Sequence, residues 1–176
     1  LTPYYRNGAV DMIITVSMGR NGFDLERFPG LRRSASKPDN LNIKTGANKK
    51  NPIIPSFIDR KLKGPEFLEF TLPAEQMINA TGFFTVNDNR TVSTLTKTLE
   101  ASSLSDLNDE ISVEGSGGGY LSNEVSYRSL LLRDLNSPVL PVGHIHTPSI
   151  KGHDDKKLQL IIKQLKAIIT ESVKTL

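Results

Sequence analysis

The sequence predicts an α/β fold, a three-layer α/β/α sandwich with a mostly parallel, twisted central sheet. Three observations carry this expectation. An early run, Asp11-Met12-Ile13-Ile14-Thr15-Val16-Ser17, is apolar and rich in β-branched side chains. Residues 111–148 then read as strand, glycine turn, helix and strand. A final helix follows whose apolar residues recur along one stripe. Strands that alternate with helices in this way cover the faces of a parallel sheet with helices.

Taken in order, residues 11–17 end near Gly19 and have the composition of a strand buried on both faces. From Phe23 to Arg33 polar and apolar residues alternate loosely as far as Pro29-Gly30, which predicts an edge strand or hairpin arm and a turn. Residues 34–63 are rich in Ser, Asn, Lys and Pro and form a long loop, and loops of that length are more often functional than idle. Gly64-Pro65 leads into Phe67, Leu68, Phe70 and Leu72, and Pro73 sets the first turn of a short helix over 74–80. Residues 83–98 read as a hairpin turning at Asn87-Asp88-Asn89. Asn79-Ala80-Thr81 and Asn89-Arg90-Thr91 are glycosylation sequons, which matter only in a secreted protein. Ile111-Ser112-Val113 forms a strand, Gly115-Ser116-Gly117-Gly118-Gly119 a turn, residues 120–136 a helix and residues 139–148 a second strand. In the last helix Leu158, Ile161, Ile162, Leu165, Ile168, Ile169 and Val173 face the core, with Lys156, Lys157, Lys163, Lys166 and Lys174 on the other faces.

Composition narrows the function. The 176 residues suit one domain with a real core. Lys and Arg total 22 against 19 Asp and Glu, a net charge of +3 spread along the chain, so no basic stripe marks a nucleic-acid partner. There is no cysteine, which excludes disulfides, thiolate metal sites and a cysteine nucleophile in this chain. No apolar run reaches the ~20 residues that span a bilayer, so no membrane partner is expected. The chain begins at Leu1 rather than Met, so its targeting is not legible.

Three constellations can carry chemistry. The glycine turn at 115–119 joins a strand to a helix, where backbone N–H groups and the helix N-terminus can hold a phosphate or oxyanion; a purely structural turn is the alternative. No Gly-Lys-Ser/Thr follows, so it is not a P-loop. Ser122, in the first turn of the helix, is the candidate nucleophile. His144 and His146 share one face of their strand. They can bind a metal with His153 as a third ligand, or His146 can serve Ser122 as general base while His144 is a hydrogen-bonded strand residue. Glu26, after the first strand, is either a surface ion-pair partner or the acidic member of such a catalytic set.

These residues resemble the cysteine-type pyroglutamyl peptidases (pyrrolidone-carboxylate peptidases). Glu26-Arg27 is followed 12 residues beyond the glutamate by Pro38-Asp39-Asn40, as in that family. Gly64-Pro65 through Phe70-Thr71-Leu72-Pro73 resembles a second family segment, and Ser116 to Asn123 resembles the nucleophile motif. His146-Thr147-Pro148 resembles the histidine motif and keeps the family's separation of 24 residues from Ser122. The resemblance implies a hydrolase that removes N-terminal pyroglutamyl residues from peptides. In it Ser122 stands at the nucleophilic cysteine, His146 shuttles the proton and Glu26 orients it. Gly118, Gly119, Tyr120 and Leu121 bind substrate and oxyanion, and no cofactor or metal is needed. It also implies a cytoplasmic homo-oligomer, and a single domain over 1–176 that lacks the family's N-terminal strand and loop and carries an insertion at 79–110. The segment before Glu26 is shorter than the family's and lacks its ring-holding Gln-Ala-Gly-Gly. Those departures, with serine at the nucleophile position, make the alternative a non-catalytic relative that acts as a binding or assembly module.

Overall fold

The computed structural model describes residues 2–6, 8–38, 41–57 and 60–175. After a 3-10 turn at Thr2–Tyr5 come β1 (Ile13–Arg20), β2 (Phe23–Glu26), β3 (Ser56–Phe57), β4 (Arg60–Lys61) and helix α1 (Ala74–Ile78). There follow β5 (Val86–Asn89), β6 (Thr91–Thr94), β7 (Thr98–Glu100), a 3-10 turn at Leu104–Leu107, β8 (Ser112–Glu114), α2 (Leu121–Asn136), β9 (Val142–Pro148) and α3 (Asp155–Val173). Contacts divide the chain into two compact units, one of Leu1–Arg27, Phe70–Asn89 and Leu132–Leu176, the other of Phe28–Glu69 and Arg90–Leu131. Among the described residues no helix is long and apolar enough to cross a membrane.

The first unit is built on a four-stranded sheet of order β1-β9-β2-β5. β1 runs parallel to β9 and β2 parallel to β5, while β2 meets β9 antiparallel. The sheet is therefore mostly parallel and the fold mixed α/β, as its sequence predicts. Phe23, Leu25 and Ile145 from the sheet pack with Phe70, Leu72 and Met77 and with Ile161 and Ile168 of α3. Every residue of β9 is buried, and at Gly143 a Cβ would lie 2.4 Å from the Phe70 ring, so only glycine lets the strand pass.

Four expectations are corrected here. β1 is not buried on both faces: among the described residues it pairs only with β9, and Val16 and Met18 stay 47% and 56% exposed. β2 is not an edge strand, because β9 and β5 flank it and Phe23 and Leu25 enter the core. No hairpin turns at Asn87-Asp88-Asn89. These residues are β5 itself, held in place because Asn87 donates to Asp24 at 2.7 Å, Asn89 to Glu26 at 2.9 Å, and Arg27 to Asp88 at 2.9 Å. In α3 the buried residues are Ile161, Gln164, Ile168 and Ser172, while Leu158, Ile162 and Val173 are exposed. Gln164 causes this turn of the helix: its amide accepts from Phe84 N–H at 2.8 Å and donates to Phe84 C=O at 2.6 Å.

In the second unit β6 pairs antiparallel with both β7 and β8 over a core of Phe28, Phe67, Val92, Ala101 and Leu107. Among its described residues, the long loop expected over 34–63 carries the two-residue ladder of β3 with β4 and isolated bridges of Ile53 to Arg33 and of Asn48 to Asn51. The start of α2 belongs to this unit.

Candidate active site

β9 carries His144 and His146, and the register puts Thr15 and Ser17 of β1 opposite them on one side. On the other side Asp24 of β2 lies opposite His146. Two residues further along β2, the Glu26 carboxylate reaches His146, and its Oε1 shares a hydrogen bond with Nδ1 of the ring. With Glu26 ionised, Nδ1–H is the donor and Nε2 keeps the lone pair that a general base uses. Glu26 is fully buried. Its Oε2 accepts from Asn89 Nδ2 at 2.9 Å, and its Oε1 lies 3.4 Å from the Arg20 guanidinium, which also lies 3.3 Å from Asp24. Burial pushes the Glu26 carboxyl above the usual carboxylate range, against the opposing pull of His146 and Arg20.

His144 is fully buried, and its ring stands edge-on to that of His146 with centroids 5.2 Å apart. Thr15 Oγ1 donates to Gly143 C=O at 3.3 Å, which leaves it free to accept from His144 Nδ1–H at 2.8 Å. Nε2 then accepts from the Ser17 hydroxyl at 2.8 Å. This arrangement suits a neutral imidazole, and burial, with the His146 and Arg20 charges adding to it, pushes His144 down to about 3. With both nitrogens engaged by hydroxyls, His144 has no lone pair to offer a metal. Among the described residues no three His, Cys, Asp or Glu side chains are grouped to hold one. His153 lies exposed before α3.

The glycine turn lies in the second unit. Gly118 has φ +89°, a left-handed conformation that favours glycine, and its N–H bonds Gly115 C=O at 2.8 Å. A Cβ on Gly119 would lie 2.0 Å from the buried Ser34 hydroxyl. The Gly119 carbonyl accepts from Ser34 N–H at 3.0 Å and Ala35 N–H at 2.9 Å. Tyr120 donates its hydroxyl to the Pro38 carbonyl and stacks beneath Arg33. Leu121 begins α2, so the half-buried Ser122 sits in its first turn, where backbone N–H groups have no helical partner. Ser116 and Asn123 clamp the strand-like segment after Arg27. Ser116 Oγ accepts from Phe28 N–H at 2.9 Å, while Asn123 bonds both the N–H and the C=O of Gly30 at 2.9 and 2.7 Å. An open cleft of about 470 Å³ within this unit is lined by Ser34, Lys37, Asn48, Lys49, Glu114 and Tyr120. Asp39 and Asn40 of the Pro-Asp-Asn segment lie outside the described residues.

Of the candidate residues, the structure thus joins Glu26 to His146 and gathers Gly118, Gly119, Tyr120, Leu121 and Ser122 in one turn and helix start. Sequence reasoning missed Asn89, Arg20 and the Thr15–His144–Ser17 chain. The signal for Asn89 was available: Asn87 and Asn89 alternate with the same period as Asp24 and Glu26.

Superposition on solved structures gives the fold its place. Over 94% of this chain and 70% of the other, it resembles pyrrolidone carboxyl peptidase from Pyrococcus furiosus, with a TM-score of 0.59 and 21% identity. Pyroglutamyl peptidase I from Bacillus amyloliquefaciens matches with a TM-score of 0.56 and 19% identity, over 94% of this chain and 67% of that one. The chain has the fold of these peptidases. Residues 83–151, which include Asn89, Ser122 and His146, match the family model of the PA0049 C-terminal domain. The uncharacterized protein PA0049 of Pseudomonas aeruginosa is 49% identical over 39 residues, 22% of this chain and 7% of that protein's length.

Proposed function

We propose that the protein is a hydrolase of the pyroglutamyl-peptidase kind that removes an N-terminal pyroglutamyl residue from peptides. The observation that carries this reading is the His146–Glu26 pair. A buried carboxylate on one strand takes Nδ1 of an imidazole on the next, the arrangement that fixes a base's tautomer. The peptidase fold and the glycine turn ahead of Ser122 support it.

In this reading His146 Nε2 takes the proton of Ser122 Oγ as that oxygen bonds the pyroglutamyl carbonyl carbon. Backbone N–H groups from Gly119 to Leu121 hold the resulting oxyanion, because the Gly118 N–H is taken by the Gly115 carbonyl. His146 then gives the proton to the leaving amine as the C–N bond breaks; water, deprotonated by His146, next attacks the acyl carbon, and His146 returns that proton to Ser122 Oγ as the acyl C–O bond breaks and pyroglutamate leaves. Glu26 keeps Nδ1 protonated and balances the imidazolium. The neutral His144 adds no second positive charge beside it. A hydroxyl ionises far less readily than a thiol, so the serine enzyme is slow and a cysteine at the same position is faster.

Hydrolysis of a chromogenic pyroglutamyl amide tests this with the wild type, Ser122→Cys, and Ser122→Cys combined with His146→Gln. The cysteine variant is expected to show a burst of product, and loss of the imidazole to lower turnover by about 10²–10⁴-fold. A folded Ser122→Cys protein with neither gain nor burst ends the peptidase reading.

A further inference from the structure

We propose that Asn89 is a positioning residue of this site, an uncharged donor that holds Glu26 as the acceptor for His146, so that the working unit is Asn89–Glu26–His146. The inference rests on the reading above for its consequence in catalysis, but its geometry stands alone. Glu26 and Asn89 are register partners in the parallel β2–β5 pair, and the two carboxylate oxygens have different neighbours. Oε1 meets His146 and the outlying Arg20, and Oε2 meets Asn89 at 2.9 Å.

The chemistry requires such a donor. A carboxyl sealed from water favours its neutral form, and a neutral glutamic acid has an O–H to give. If it donated to Nδ1, the ring proton would move to Nε2 and the imidazole would lose the lone pair that a base needs. A carboxamide N–H opposes this by stabilising the ionised carboxylate, and it brings neither charge nor a titrating proton of its own. Arg20 is the weaker support, because its side chain is 34% exposed, its contact is longer and it is shared with Asp24.

β5 is built to deliver this amide. Asn87 to Asp24 at 2.7 Å and Arg27 to Asp88 at 2.9 Å fix the same register on either side, and Arg27 N–H bonds the Asn89 carbonyl at 3.0 Å. A slip of one residue would turn Asn89 to the opposite face of the sheet. Its side-chain nitrogen is thereby committed to Glu26, which gives the Asn89-Arg90-Thr91 triplet a role other than a sequon.

The test reads the His146 tautomer by long-range proton–nitrogen correlation spectroscopy in the wild type, Asn89→Leu, Asn89→Ser and Asn89→Asp, with circular dichroism to confirm the fold. The wild type should hold the proton on Nδ1 at neutral pH. Asn89→Leu should lose that preference. Asn89→Asp, whose ionised carboxylate has no N–H to give Glu26, should lose it as well. Should the leucine variant not fold, the serine variant, small and polar at a half-buried position, reads the same loss. A folded Leu or Ser variant with the wild-type tautomer overturns the proposal. In the Ser122→Cys background, Asn89→Leu should lower kcat by roughly 10- to 100-fold, part of the ~10²–10⁴ that general acid–base catalysis supplies, with KM unchanged. A Ser122→Cys enzyme without activity refutes the peptidase reading and leaves the tautomer result to decide on Asn89.

Discussion

Acid should unfold this protein through His144 before most of its carboxylates titrate. The imidazole is fully buried and held neutral between Thr15 and Ser17, and burial beside His146 and Arg20 lowers it to about 3. In the unfolded chain it titrates at its ordinary 6.5. Between these values the unfolded state binds one more proton than the native state, so stability falls as pH falls. From pH 7 to 5 the unfolded imidazole becomes almost fully protonated while the native one does not. The difference is about 1.4 pK units, or about 2 kcal/mol at 1.36 kcal/mol per unit, and it reaches about 4 kcal/mol by pH 3. Glu26 acts with the opposite sign, because its raised carboxyl takes up a proton in the native state first. The assay is therefore a double difference: urea unfolding of the wild type and His144→Gln, each at pH 7 and pH 5. Glutamine keeps one donor and one acceptor for Thr15 and Ser17 but does not titrate, and Glu26 and the contact losses common to both pH values cancel. The wild type should lose about 2 kcal/mol more than the variant between the two pH values. Equal pH dependence in the two proteins would falsify the assignment of His144 as a buried neutral group.

Three further substitutions probe the scaffold by thermal and denaturant unfolding. Gly143→Ala forces a methyl to within 2.4 Å of the Phe70 ring and should cost about 1–3 kcal/mol or more by overpacking; a neutral result would mean that β9 does not pass against Phe70. Asn123→Ala strips both the N–H and the C=O of Gly30 of their partner and should cost about 2–4 kcal/mol, whereas a loss below 1 kcal/mol would deny the clamp. Ile168→Ala empties a fully buried position of α3 and should cost about 2–5 kcal/mol, while Ile162→Ala, on an exposed part of the same helix, should stay within about 0.5 kcal/mol.

Periodicity and turn residues made most of the architecture legible. The strand, glycine turn and helix over 112–136 follow their sequence signals within a residue or two, and the strand at 142–148 ends where expected but begins three residues late. What failed were positions where a tertiary partner outweighs local preference. Asn-Asp-Asn is ordinary turn chemistry, and only the facing Asp24, Glu26 and Arg27 on β2 make it a strand. Gln164 is a poor core residue by type, yet the Phe84 backbone satisfies both ends of its amide. In the candidate site, the approach of Glu26 to His146 was anticipated through motif spacing. The two hydroxyls that hold His144 were not, because a parallel pairing of strands so distant in sequence leaves no local trace.

Glu26 and His146 stand 120 residues apart in the chain. Bringing such distant points together costs about 4 kcal/mol of loop-closure entropy, and segments Phe28–Glu69 and Arg90–Leu131 leave and return within that interval. Non-local pairings of this kind slow folding and form after local structure. The acid–base pair is thus a late event in the maturation of the chain, and the imidazole resonances of β9 can serve as a clock for its completion.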